Sequence, residues 1–287
     1  MSRSKWRPRC CQTLGERPAH RGTAKDAERL KQLVNADASL KNLMAAALFL
    51  GFTAMMTAVV IAVVARYLDR RIALRVLVGL AVWFLYVGSM SYFGVFRNTA
   101  MRPPGTAFLL APIVLFVFSL IVFMVRSPAG TRIAVAFPLW IILGIQFFRV
   151  GVELFLHQLW IEGIVPKVLT FGGANVDIYI GASAPLIAWL STRGRIGWKL
   201  AFVWNLLGLL ALTNVVIRAV LTVPGPFNLI YAEVPNRMFG AFPFTYVPAF
   251  FVPLAVTLHV LAIRTIGSQA QSPNPASLAP RRSLSER

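Results

Sequence analysis

The chain has 287 residues, 57% of them apolar and 14% charged, with a mean hydropathy of +0.67. The charged share is about half that of an ordinary soluble domain, which excludes a soluble globular enzyme, a disordered protein and a disulfide scaffold. The formal net charge of +19 is distributed between apolar runs and not gathered on one stripe, so it marks lipid headgroups and topology and excludes a nucleic-acid partner.

Residues 1–42 are polar and basic, with a net charge of +6. They contain Cys10 and Cys11, which are adjacent and form neither a CxxC motif nor a disulfide framework. The stretch from Ala24 to Asn42 predicts an amphipathic helix with Leu30, Leu33, Val34 and Leu40 on its apolar side. It is not a signal peptide, because the apolar run starts late and no small-residue cleavage site follows. Met44 opens that run, so the tail also reads as an over-extended start.

Seven apolar spans follow, at about 43–65, 76–96, 107–125, 133–161, 178–192, 199–221 and 243–264. A hydrocarbon core of about 30 Å needs roughly 20 such residues. The predicted fold is therefore an all-α integral membrane bundle of about seven transmembrane helices over residues 43–266. The fourth span is too long to lie wholly in hydrocarbon, and the fifth is short and carries Pro185. Residues 267–287 are rich in Ser, Pro and Arg and read as a disordered tail. The loop 222–242, rich in Pro and aromatics, reads as lying along the membrane interface.

Loop charge sets orientation. The loops after spans 1, 3, 5 and 7 carry ten Lys or Arg, and those after spans 2, 4 and 6 carry four. This predicts a multi-pass membrane protein with its N-terminus outside and its C-terminus inside.

Polar residues inside spans are costly, and so carry the functional signal. Gln146, Arg149, Glu153 and His157 fall on one stripe of the fourth span, with Arg149–Glu153 and Glu153–His157 as i,i+4 neighbours. Asn214 and Arg218 form a further i,i+4 pair in the sixth span. Asn175 and Asp177 suit a helix cap where the fifth begins, after a tight turn at Gly172-Gly173. Antiparallel threading carries these residues toward one membrane face, with Arg149 and Arg218 balancing Glu153 and Asp177. Gly181, Ala184 and Ala188 make a small-residue face for close helix approach. Asn205 and His259 point elsewhere and read as helix-packing residues nearer the other surface.

The strings FRVGVELFLHQLW, PKVLTFGGANVDI and GASAP resemble a group of uncharacterised bacterial polytopic membrane proteins with an FRxxVE helix followed by a P...TFxGxNxDIxxGxSAP run. Gly172 and Ala174 stand where that group carries a charged pair. The resemblance covers about residues 148–264; it implies a place in the bacterial cytoplasmic (inner) membrane and no known activity.

Several chemistries fail on the residues. No lysine lies in the last span to hold retinal, and His157 and His259 are assigned to opposite ends of their spans, where one haem cannot join them. Three histidines do not support a zinc site, so no metal and no cofactor is predicted. Three readings remain. The first is binding or transport of a small polar or anionic solute, or a lipid headgroup, by the polar cluster. The second is a membrane-embedded hydrolase using Ser183 and His157, with Glu153 or Asp177 orienting the histidine. The third is a non-catalytic structural or accessory protein. The expected partners are the bilayer and such a ligand; enzyme activity is the lesser reading, and the oligomeric state is not legible.

Overall fold

Long apolar runs offer their backbone no water, so each must close its own hydrogen bonds as a helix. The computed structural model describes residues 24–97, 105–225 and 228–271, with side chains between residues 43 and 268. Its helices are α1 (Ala24–Tyr67), α2 (Arg70–Tyr92), α3 (Thr106–Arg126), α4 (Pro128–Ala136), α5 (Leu139–Ile145), α6 (Phe148–Ile161), α7 (Asp177–Ser191), α8 (Arg195–Leu221) and α9 (Val252–Gln271). No strand occurs among the described residues. The chain divides into a unit ending at Ala45 and one beginning at Ala46. The backbone is helical from Ala24; the side chains of Leu30, Leu33, Val34 and Leu40, and all of Cys10, Cys11 and residues 272–287, lie outside the described residues.

Six helical segments are long and apolar enough to cross a membrane: Leu43–Tyr67, Arg70–Tyr92, Thr106–Arg126, Leu139–Ile161, Arg195–Leu221 and Val247–Ser268. The fifth expected span is the exception, because α7 has only 15 residues. The fourth expected span is broken by Pro138, so that α4 is a separate helix capped by Ser127, whose hydroxyl accepts from Ala129 N at 3.1 Å. α5 and α6 form one span with a tightened turn between them: Gln146 N reaches Leu143 O at 3.1 Å, and Arg149 N reaches Gln146 O at 3.1 Å. The last span opens with a π-helical turn, Val247–Phe251, and extends to residues expected in the tail. Arg264 stays within that helix and reaches the end of α3, donating to Val125 O at 3.2 Å.

Aromatic rings fill the bundle between α1, α6 and the start of the last span. Phe49 meets Phe155 edge-on at 5.2 Å, and Phe52 stacks on Phe251 at 5.2 Å. Trp83 and Tyr246 place their polar tips on carbonyls, Ala249 O and Phe84 O, both at 2.9 Å. α7 packs closely on α6 through the small-residue face read from the sequence: Gly181, Ala184 and Ala188 are buried. A Cβ at Gly181 would lie 2.9 Å from the Val150 nitrogen and 3.0 Å from Arg149 Cβ.

Gly181→Leu is therefore expected to cost about 1–3 kcal/mol or more by overpacking the α6–α7 contact. Gly79→Leu, where nothing lies within 4 Å, is expected to be neutral. Unfolding midpoints of the two variants in lipid nanodiscs check this; equal losses would contradict the close approach.

Candidate functional site

The contact at Gly181 sets the depth of α7. Asp177 lies one turn before Gly181, level with Glu153, and α6 continues to Ile161 beyond that level. At 1.5 Å per residue, α7 therefore starts about 12 Å below the end of α6. Residues 162–176 return into the bundle to reach it. Irregular backbone at such depth must be satisfied by protein. Ile164 O accepts from Arg237 N at 2.9 Å, Leu169 O from Asn175 Nδ2 at 2.9 Å, and Ala174 O from Asn214 Nδ2 at 2.9 Å. The tight turn expected at Gly172-Gly173 is present, with Gly173 N on Thr170 O at 2.9 Å.

This returning segment delivers Asp177 to Arg149. The guanidinium is 2% exposed and pairs twice with the carboxylate, Nε to Oδ2 at 3.2 Å and Nη2 to Oδ1 at 2.7 Å. Nη1 lies 2.8 Å from His259 Nε2. A guanidinium can only donate, so Nε2 is the acceptor, and the ring is neutral with its proton on Nδ1. That proton is donated to Asn205 Oδ1 at 2.8 Å, and Asn205 Nδ2 donates to Ala201 O at 2.7 Å. Gly208 makes room for the imidazole: a Cβ there would lie 2.4 Å from His259 Cε1.

Asn175 links the pair to Glu153. Its Oδ1 accepts from Asp177 N at 3.0 Å, and its Nδ2 donates to Glu153 Oε1 at 2.6 Å. Glu153 is 2% exposed, and its Oε2 has no hydrogen-bond partner among the described residues. Arg149, Glu153 and Asp177 line a cavity of about 360 Å³ whose other walls are apolar, among them Leu110 of α3, Leu156 of α6, Leu212 and Val216 of α8, and Phe251.

Of the residues singled out in the sequence, Arg149, Glu153, Asn175 and Asp177 come together. The two expected i,i+4 contacts of α6 do not form. Arg149 turns to Asp177, Glu153 turns to Asn175, and His157 stacks on Phe171 at 4.6 Å. Asn214 holds Arg218 Nε at 2.8 Å and ties the returning segment to α8, so Arg218 does not balance Glu153. Gln146 is fully buried beside the tightened turn, with neither amide atom bonded among the described residues. Ser183 donates to Tyr179 O at 2.7 Å and accepts from Trp204 Nε1 at 2.9 Å. The depth of α7 puts Ser183 about 14 Å along the bundle from His157, not beside it.

Sequence reasoning missed His259 and Asn205 as members of the network. The expected span ended at residue 264, which put His259 near a membrane surface. The helix in fact runs past Arg264, and His259 lies at the depth of Arg149. Asn205 does make an interhelical hydrogen bond, and its partner His259 brings it into the network. The available signal was Arg264, whose long side chain can reach back to a helix end from within a span.

The family model of a domain of unknown function (DUF8737) matches residues 104–266, a range that holds α3 to α8, most of α9 and every member of the Arg149 network. No curated protein and no solved structure matches the chain. The match spans more than half of the 287 residues, and the chain belongs to this family of domains of unknown function.

Proposed function

We propose that the chain is a multi-pass membrane protein that binds a small amphiphilic molecule in the cavity between α3, α6, α8 and α9, with the molecule's polar end on Glu153. The observation that carries this reading is the buried, unpartnered Glu153 Oε2 facing apolar walls. A cavity of about 360 Å³ lies within the usual range for small ligands, and a few convergent polar groups in an apolar pocket fix a ligand's orientation. The charge of Arg149 is matched by Asp177, so the charge left for a ligand is that of a carboxyl group. That favours a hydrogen-bond donor, an amine or a hydroxyl, over the anionic solute that two arginines suggest. Leu110, Val114 and Val220 line both this cavity and a groove on the outer face of α3 and α8. Entry is accordingly from lipid.

The topology that goes with this reading has seven crossings. The short α7 and the returning segment 162–176 together make the fifth, in the manner of the broken helices of transporters. The protein sits in the bacterial inner membrane with its N-terminus outside and its C-terminus inside. The hydrolase reading gains no support from the bonds of Ser183 and His157. A structural reading has an observation of its own, because Arg149, Asp177, His259 and Asn205 bond to one another.

In nanodiscs, decylamine and decanol are expected to raise the unfolding temperature by about 3–6 °C at roughly ten times Kd, while decanoate does not. Val216→Trp, which fills the cavity, is expected to abolish the shift, and Glu153→Gln to weaken that of decylamine more than that of decanol. Equal stabilisation by decanoate, or shifts that survive Val216→Trp, would sink the ligand reading.

Arg149→Gln leaves Asp177 unpaired and is expected to cost about 3–5 kcal/mol. The double variant Arg149→Met/Asp177→Leu is expected to recover most of that loss. An unfolding free energy of Arg149→Gln equal to wild type would contradict the network.

Orientation is checked in a Cys10→Ser/Cys11→Ser background carrying Lys167→Cys. A membrane-impermeant maleimide is expected to label intact cells; labelling only after lysis reverses the assignment.

A further inference from the structure

Arg97 and Arg237 lie outside the Glu153 site, and neither has an acidic partner among the described residues. Arg97 follows α2, and Arg237 precedes the short turn Met238–Gly240. Both are exposed and line one recess of about 430 Å³, together with Thr106 and Asn236, and no Asp or Glu is among its lining residues. Neither forms an ion pair among the described residues. Both are nonetheless held in place. The stem of Arg97 lies on Gly240, where a Cβ would be 2.7 Å from Arg97 Cγ, and its Nε lies 3.4 Å from Gly240 O. The backbone of Arg237 is tied to Ile164 O at 2.9 Å.

The recess opens onto an apolar groove of about 600 Å³, which shares Thr106, Val223 and Pro224 with it. One wall is the exposed face of α3, from Ala107 through Ala111 and Val114 to Phe118; the other is the end of α8 at Val220. The small side chains of Ala107 and Ala111 keep the groove open. From Thr106 to Phe118 it is about 18 Å long at helical rise, against about 15 Å for one leaflet of hydrocarbon. Positive charge at a helix end above an apolar slot one leaflet long matches a charged headgroup above an acyl chain. The positive end of the α3 dipole lies at the same level.

We propose that this surface is a binding site for an anionic phospholipid, with the phosphate held by Arg97 and Arg237 and one acyl chain lying along α3 in the groove. The site is independent of Glu153 and of whatever occupies the inner cavity. Its arginines have no ion-pair partner among the described residues, whereas Arg149 is paired with Asp177.

The test is native mass spectrometry of the full chain from nanodiscs that contain equal amounts of phosphatidylglycerol and phosphatidylcholine with the same acyl chains. The wild type is expected to retain one phosphatidylglycerol about ten- to thirtyfold over phosphatidylcholine, as two interfacial arginines allow. Arg97→Gln/Arg237→Gln is expected to bring the ratio to near one. Arg193→Gln, beside Trp189 at the other end of α7, is expected to keep the wild-type ratio. Ala111→Trp leaves both arginines intact, fills the groove, and is expected to lose the retained lipid; this arm stands even if the double variant does not fold. Equal retention of both lipids by wild type overturns the proposal, as does a phosphatidylglycerol preference that survives the double variant or Ala111→Trp.

Discussion

A guanidinium two turns or more inside a membrane span has to be surrounded by acceptors before the span can exist, and the architecture around Arg149 follows from that requirement. Its partner Asp177 cannot come from the end of a full-length helix, which would leave the carboxylate near the surface. The segment 162–176 therefore folds inward, and α7 starts at depth. The inward fold must satisfy its own backbone, and Asn175, Asn214 and the Arg237 N–H do so. Gly181 has to lack a side chain for α7 to come within reach of Arg149, and Gly208 has to lack one for His259 to lie beneath the guanidinium. The neutral imidazole is itself a consequence, since a second cation against Arg149 would cost more than it returned in hydrogen bonds.

The cavity beside this network sits where two spans depart from regular α geometry. The tightened turn at Gln146 and Phe147 precedes Phe148 and Arg149, and both of these line the cavity. The π-helical turn Val247–Phe251 contributes Val247, Pro248 and Phe251 from the other side. Irregular turns inside otherwise regular helices leave space that ideal packing would fill, and they recur at functional sites. Here they bracket the face of α6 that carries the unpartnered Oε2 of Glu153.

Much of this was legible in the sequence. Hydropathy predicted seven spans, of which six are membrane-length helices, and of the eight polar candidates Arg149, Glu153, Asn175 and Asp177 come together while Gln146, His157, Asn214 and Arg218 do not join them. Three things were not legible, each for a stated reason. The shortness of the fifth span was read correctly, but its depth depends on which residues pair across helices, which periodicity along one helix does not encode, and the overlong fourth span was not divided at Pro138. His259 was assigned the wrong depth because Arg264 resembles a loop residue, whereas its side chain spans the distance from within the helix to Val125 O. The i,i+4 neighbours of α6 were expected to pair because they share a face, but tertiary partners of better geometry took their places. Arg149 gains a bidentate contact from Asp177 that Glu153 on its own helix does not make.

The same competition decides the sign of each site. Counting charges puts Arg149 and Arg218 at the centre of an anion site, because two arginines in spans outweigh what surrounds them in sequence. Counting hydrogen bonds reverses this. Asp177 and His259 take up the guanidinium of Arg149, and Asn214 holds Arg218, which is not among the residues lining the cavity. What faces the interior space is a carboxyl oxygen. Arg97 and Arg237, which form no ion pair among the described residues, are in the sequence merely two of the four basic residues on the less basic side. A buried guanidinium is conspicuous because it is expensive, and for the same reason that of Arg149 arrives already paired. An interfacial charge is inconspicuous because water makes it cheap, and it is the one left free to meet a ligand.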